Sequence, residues 1–82
     1  MNTIQNPQEH WTRVAASVLL NRTIVAVRYL DKEEADRLGW HGRSVIVELD
    51  NGDLVYPSRD DEGNDAGALF TTNSNAACLP VI

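Results

Sequence analysis

The sequence predicts an α+β fold that is mainly β, in which an N-terminal helix precedes a small SH3-like barrel of five strands. Two observations indicate this fold. An apolar stripe with a helical period lies in residues 7–20, and short β-type runs separated by turn residues lie in 23–82. The 82 residues fit a single domain, 1–82. An open antiparallel sheet backed by helix 7–20 is the alternative, because both arrangements bury the same hairpin face.

The predicted first helix has both a start signal and an amphipathic pattern. Asn6 is a good N-cap, Pro7 suits the first helical turn, and Glu9 stands three residues after the cap, as in a capping box. Apolar residues then recur at helical spacing, at Trp11, Val14, Ala15, Val18 and Leu19. The following strand, 23–30, is apolar on both faces apart from one arginine, which suits a strand that is covered on both sides, with this helix as one candidate cover.

A short helix or 3₁₀ segment is predicted at residues 32–38. Asp31 offers a cap with Glu34 three residues later, and Gly39 stands where helices commonly end. Trp40 follows that glycine. It can either close the helix end by packing or form the wall of a peptide groove, as aromatic residues do on SH3-like surfaces.

The clearest β-signal is a hairpin over residues 43–58. The central pair Asn51-Gly52 is preferred in two-residue type I′ turns. Such a turn would set the register, with Leu49–Leu54, Val47–Tyr56 and Val45–Ser58 on an apolar face and Asp50–Asp53, Glu48–Val55 and Ile46–Pro57 on the other. Two short strands, 68–72 and 78–82, are predicted after a polar loop, and Pro80 makes the last an edge strand.

Composition argues against several function classes. Twelve acidic against seven basic side chains give a net charge of −5, which argues against a nucleic-acid-binding or membrane-binding surface. The single cysteine, Cys78, can form neither an internal disulfide nor a cysteine zinc cluster. The sequence shows no targeting segment and no apolar run long enough to cross a bilayer, so we expect a cytoplasmic location.

The acidic charge is concentrated in one region. The segment from Asp50 to Asp65 contains six acidic residues and one basic residue, Arg59, so it accounts for the whole net charge of −5. Crowded carboxylates need solvent, a cation or a basic partner. The residues predicted to bind a partner or ligand are Trp40, Tyr56, Ser58, Arg59, Asp60, Asp61, Glu62 and Asn64. The residues that would coordinate a divalent cation are Asp60, Glu62, Asn64 and Asp65.

These observations predict a non-catalytic interaction domain that binds first a copy of itself, as a homodimer or higher oligomer, and then a protein partner that faces the acidic loop. Exposed apolar surface and open strand edges are the reason to expect self-association. The alternative is a small-ligand binder in which loop 58–67 holds a divalent cation or a phosphorylated metabolite. Apart from such a cation, no cofactor is predicted. An enzyme ranks third, because no nucleophile motif is present and only Cys78 with His41 offers a reactive pair.

One stretch resembles known sequences. Residues 30–70, and especially the segments KEEA at 32–35, LGW at 38–40 and YPSRDDEGN at 56–64 with GALF at 67–70, look like small uncharacterised bacterial proteins. The resemblance covers about half the chain. It implies no activity and transfers no functional residue.

Overall fold

The computed structural model describes residues 6–82, in which two helices and five strands follow one another along the chain. The helices are α1 (Pro7–Leu19) and α2 (Lys32–Leu38). The strands are β1 (Ile24–Tyr29), β2 (Val45–Leu49), β3 (Leu54–Val55), β4 (Leu69–Phe70) and β5 (Cys78–Leu79). Strands β1, β2 and β3 form an antiparallel sheet in that order, and β4 and β5 form a separate antiparallel pair.

The predicted five-stranded SH3-like barrel is wrong. Within residues 6–82 the strands fall into two sheets, one of three strands and one of two, and no barrel closes. Strands β1 and β3 are the edges of the larger sheet, and neither pairs with β4 or β5, so the strands do not form the continuous ring that a barrel requires. The alternative of a sheet backed by helix 7–20 also fails, because no residue of α1 is buried.

Helix α1 begins as its sequence predicts and ends one residue earlier. The Asn6 side chain accepts a hydrogen bond from the backbone N–H of Glu9 at 3.1 Å, which confirms the N-cap. Leu20 leaves the helix in an extended conformation, and Asn21 has a φ of 64°. Asparagine tolerates this left-handed conformation better than other non-glycine residues, so the chain can turn sharply here.

Helix α2 confirms its predicted start and end. Asp31 and Glu34 form a reciprocal capping box, and Gly39 adopts the left-handed conformation with a φ of 75°. The backbone N–H of Gly39 donates to the carbonyl of Asp36, and that of Trp40 donates to the carbonyl of Ala35. This pair of hydrogen bonds is the Schellman motif, and it directs Trp40 back over the helix.

The hairpin between β2 and β3 has a different turn from the predicted type I′ turn. The N–H of Gly52 donates to the carbonyl of Leu49, and the N–H of Leu49 donates to the carbonyl of Asp53. Gly52 has a φ of 90°, whereas Asn51 does not adopt a positive φ. The connection is therefore a three-residue loop with a glycine bulge, a common hairpin turn that tolerates ordinary φ before the glycine.

This extra loop residue shifts the register by one. Val47 lies opposite Val55 and Glu48 lies opposite Leu54, in place of the predicted pairs. Ile46, which the type I′ register put on the outer face, is only 3% exposed. Tyr56, predicted to be on the apolar face, is 40% exposed. A one-residue shift exchanges the two faces of β3 relative to β2, which puts Tyr56 on the same side as Ile46. Val45 and Leu49 are buried as well, so β2 is covered on both of its faces.

The core is small and lies between α2, the sheet and the loop that follows β3. Its central cluster consists of Leu30, Ala35, Trp40, Ile46 and Ala66. Val45 and Leu49 of β2 are also buried. A core of this size leaves much apolar surface elsewhere in the described residues uncovered, because small domains bury a low share of their surface.

Candidate functional site

Loop 58–67, the acidic loop of the sequence analysis, is closed at its base by backbone contacts. Ser58 and Ala66 form an isolated antiparallel bridge. The N–H of Arg59 donates to the carbonyl of Asp65 at 2.8 Å, and the N–H of Gly67 donates to the carbonyl of Pro57 at 3.0 Å. A Cβ at Gly67 would lie 2.7 Å from the Ser58 backbone, so only glycine permits this close approach.

Asp60 organises the tip of the loop. Its carboxylate accepts hydrogen bonds from the backbone N–H groups of Glu62 and Asn64 and from the Asn64 side-chain amide, at 3.0, 3.2 and 2.8 Å. The Asn64 amide, followed by these backbone donors, holds the pKa of the Asp60 carboxyl below its usual range. The hydrogen bonds between Asp60 and Asn64 therefore close the tip of the loop.

Asp65 joins the loop to the segment after α2. One of its carboxylate oxygens accepts hydrogen bonds from the backbone N–H groups of Ala66, His41 and Gly42, at 2.8, 3.1 and 3.3 Å. These donors, Ala66 foremost, hold the pKa of Asp65 below its usual range. This oxygen already has three backbone donors, and only a cation that displaced them could use it.

Trp40 anchors the loop from the core side. It is 6% exposed, and its indole N–H donates to the Gly63 carbonyl at 2.8 Å. Its ring meets that of Tyr56 edge to face, with centroids 5.7 Å apart and an interplanar angle of 62°. Trp40 thus has the packing role, whereas Tyr56 keeps part of its ring accessible.

The remaining predicted site residues lie at the loop surface. Ser58 is half-buried, and its hydroxyl donates to the Asp65 carbonyl at 3.2 Å. Arg59, Asp61 and Glu62 are exposed, and among residues 6–82 no ion pair of Arg59 is found. The loop therefore presents one cationic and two anionic side chains on a backbone that is hydrogen-bonded internally.

Three of the four residues predicted to hold a divalent cation are hydrogen-bonded to different parts of the chain. Asp60 and Asn64 bond to each other, whereas Asp65 bonds to the segment at 41–42. Across residues 6–82, no three histidine, cysteine, aspartate or glutamate side chains form a group that could hold a metal ion.

A second exposed surface consists of α1 and β1, none of whose residues were among the predicted site residues. Strand β1 was expected to be covered on both faces, yet five of its six residues are exposed and the sixth is half-buried. The apolar stripe of α1 is exposed as well, with Trp11 at 59%. The apolar patterns of α1 and β1 could have indicated this surface, because an apolar helix and an apolar strand that have no predicted packing partner in the chain leave apolar side chains exposed.

The sulfur chemistry of the chain is limited to one exposed thiol. Cys78 lies in β5 opposite Phe70, and it is exposed. Among residues 6–82, no helix is long and apolar enough to cross a membrane.

Comparisons with protein families, with curated proteins and with solved structures find no match for this chain. No fold or activity is therefore transferred from a relative, and the likeness of residues 30–70 to small bacterial proteins stays a prediction.

Proposed function

We propose that the chain is a non-catalytic interaction domain that associates with a second copy of itself and turns loop 58–67 toward a further partner. The observation that supports this proposal is the apolar side-chain surface left open along α1 and β1. Trp11, Leu20 and Val27 each expose more than half of their surface. Exposed apolar patches of this kind, beside an open strand edge, favour association.

The acidic loop has a separate part in this proposal. Its backbone is held by Trp40, Asp60 and Asp65, so Asp61 and Glu62 lie on a preorganised surface. Preorganised charges lose little conformational entropy when they meet a partner. We expect that partner to present lysine or arginine side chains, because complementary charge speeds encounter and selects the partner.

The test of self-association is the molar mass in solution. The molar mass, measured by light scattering as the protein elutes from a size-exclusion column at micromolar concentration, should be that of a dimer or a larger closed oligomer. Val18→Gln puts a polar group into the exposed stripe of α1 and should weaken association. Arg13→Gln, on the opposite side of the same helix, is the matched control and should leave the mass unchanged. A wild-type monomer at high micromolar concentration would contradict the proposal.

The test of the loop separates a partner surface from an ion site. On this proposal, millimolar calcium and EDTA both leave the melting temperature unchanged. If calcium raises the melting temperature and the pair Asp60→Ala with Glu62→Ala removes that rise, loop 58–67 is a cation site and the alternative function is correct. A phosphorylated metabolite bound there would instead be found by native mass spectrometry of protein purified from its own host.

We also propose a cytoplasmic location. The thiol of Cys78 is exposed and free, and exposed free thiols are typical of reducing compartments. Labelling of the thiol in intact cells, without prior reduction, should show it unoxidised.

A further inference from the structure

We infer that a cleft beside α2 binds a small phosphate monoester, whose phosphate is held by Arg43 and Lys32 and whose hydroxyl groups donate to Asp36. The cleft has a volume of about 390 Å³. Cavities that bind small ligands measure about 300–1,000 Å³, so it has room for a small metabolite. It is lined by Lys32, Ala35, Asp36, Trp40, His41 and Arg43. No residue of loop 58–67 is among them, and binding here does not depend on self-association.

Two basic side chains of the cleft have no ion pair within the chain. Three of the seven basic residues pair with glutamates, at Arg13, Arg28 and Arg37. Lys32 and Arg43 form no ion pair among residues 6–82, although the chain has twelve acidic side chains. Asp36 lines the same cleft one helical turn from Lys32 and pairs with neither of them. Two of the four remaining cations therefore line one cleft with their charge available.

The floor of the cleft strengthens the effect of these charges. Ala35 and Trp40 are buried in the core, and Arg43 itself is half-buried. A concave surface with apolar walls and an excess of one sign of charge concentrates the electric field and attracts ions of the opposite sign. Lys32 and Arg43 against Asp36 leave an excess of one positive charge. The cleft therefore favours an anion, in a chain whose net charge is −5.

The backbone around the cleft is fixed before any ligand binds. The N–H of Arg43 donates to the carbonyl of Ile82 at 2.8 Å, and the N–H of Ile82 donates to the carbonyl of Arg43 at 2.9 Å. The N–H of His41 donates to the Asp65 carboxylate at 3.1 Å. On the other wall, Lys32 and Asp36 belong to α2, which its capping box and Gly39 hold at both ends. Little backbone entropy is lost when such a wall binds a ligand.

The side chains select a phosphate that carries hydroxyl groups nearby. A guanidinium can donate two parallel hydrogen bonds to a phosphate, and an ammonium adds a compact charge. A phosphate monoester carries a charge of about −1.5 to −2 at pH 7, which suits two cations better than a single carboxylate does. The Asp36 carboxylate can only accept hydrogen bonds, so it repels the phosphate and needs a donor. Lys32 and Asp36 are about 6 Å apart along the helix axis, and a hydroxyl a few carbons from the phosphate spans that distance.

The experiment is a titration of ¹⁵N-labelled protein with glycerol 3-phosphate, at constant ionic strength in a buffer without phosphate. We expect saturable shifts of the amide signals of residues 32–36 and 41–43, and none with glycerol. Malate, a dicarboxylate of similar size and charge, should bind several-fold more weakly. Shifts that do not saturate, shifts confined to loop 58–67, or equal binding of malate would each overturn the inference.

Charge-removing variants test which cations hold the phosphate. Arg43→Gln and Lys32→Gln should each raise the dissociation constant about tenfold or more, as expected for a lost charged hydrogen bond. Arg37→Gln removes the same charge from the opposite side of α2 and is the matched control, with a change below about twofold. Arg43→Lys keeps the charge without the fork and should lose less than Arg43→Gln. An equal loss in Arg37→Gln would show attraction by general charge alone and would overturn the inference.

Asp36→Ala tests the part of the site that reads the hydroxyl groups. The variant removes a carboxylate that repels every anion, so inorganic phosphate should bind more tightly than to the wild type. It also removes the acceptor for the glycerol hydroxyls, so the preference for glycerol 3-phosphate over inorganic phosphate should fall several-fold. An equal gain for both ligands would overturn the role of Asp36 and, with it, the assignment of a hydroxylated phosphate monoester.

Discussion

Replacement of Trp40 by phenylalanine tests how loop 58–67 is held. The change removes the indole N–H that donates to the Gly63 carbonyl at 2.8 Å and keeps an aromatic ring in the core. The lost hydrogen bond costs about 1 kcal/mol, since Gly63 is exposed and water can replace the donor. The smaller ring leaves a gap that costs about 1 kcal/mol more. We therefore expect the free energy of unfolding to fall by about 2 kcal/mol.

The assay is thermal unfolding followed by circular dichroism, at equal chain concentration because association raises apparent stability. For a domain of this size, 2 kcal/mol lowers the melting temperature by about 8–16 °C. Amide exchange in loop 58–67 should also quicken, while exchange in β2 changes less. Tyr56→Phe, which keeps the ring contact with Trp40, is the control and should alter stability by less than about 0.5 kcal/mol. Unchanged stability and loop exchange in Trp40→Phe would refute the anchoring role.

Three other changes have definite expected outcomes. Gly52→Val should lower the free energy of unfolding, measured with denaturant, by about 1–3 kcal/mol, because a β-branched residue does not readily adopt the φ of 90°. A variant as stable as the wild type would contradict the assigned turn. Ser44→Ala should raise the free energy of unfolding by about 1 kcal/mol, because the fully buried Ser44 hydroxyl has no hydrogen-bond partner among residues 6–82. A lower free energy of unfolding would contradict this, since it would mean that the hydroxyl is hydrogen-bonded. Two hydrogen bonds from Arg28 lower the pKa of Glu34 from its ordinary 4.5 to about 2. The ionised Glu34 therefore stabilises the fold fully above pH 4.5, and this contribution is lost as the pH falls toward 2. Glu34→Gln should flatten acid unfolding in that window, and Glu33→Gln on the same helix should not.

The acidic charge and the exposed apolar area of this chain lie on separate surfaces. Loop 58–67 carries four acidic side chains against the single Arg59, whereas the apolar stripe of α1 carries no charge. An association that buries only the uncharged surfaces leaves the loop free in each copy. A dimer would then present two acidic loops, and a basic partner could bind both with higher avidity than one.

The sequence by itself determined the local elements. Asn6 and Pro7 start α1, and Asp31 with Glu34 starts α2, because these caps depend on residues within one helical turn. Gly39 ends α2 for the same local reason. The position of the hairpin also followed from the sequence, because the common hairpin turns need a residue with a positive φ and Gly52 supplies it.

Only the tertiary structure decided the register, the sheet order and the composition of the core. The three-residue loop, in place of a type I′ turn, put Tyr56 on the side of Ile46, where its ring meets Trp40. Ile46 itself is buried in the core with Trp40 and Ala66. The hydrogen bonds from Trp40 to Gly63 and from His41 to Asp65 join residues more than twenty positions apart. Such contacts depend on how distant segments pack, and sequence patterns report mainly on neighbours a few residues away. The same limit explains why the apolar patterns of α1 and β1 predicted burial, whereas both elements are mostly exposed among residues 6–82.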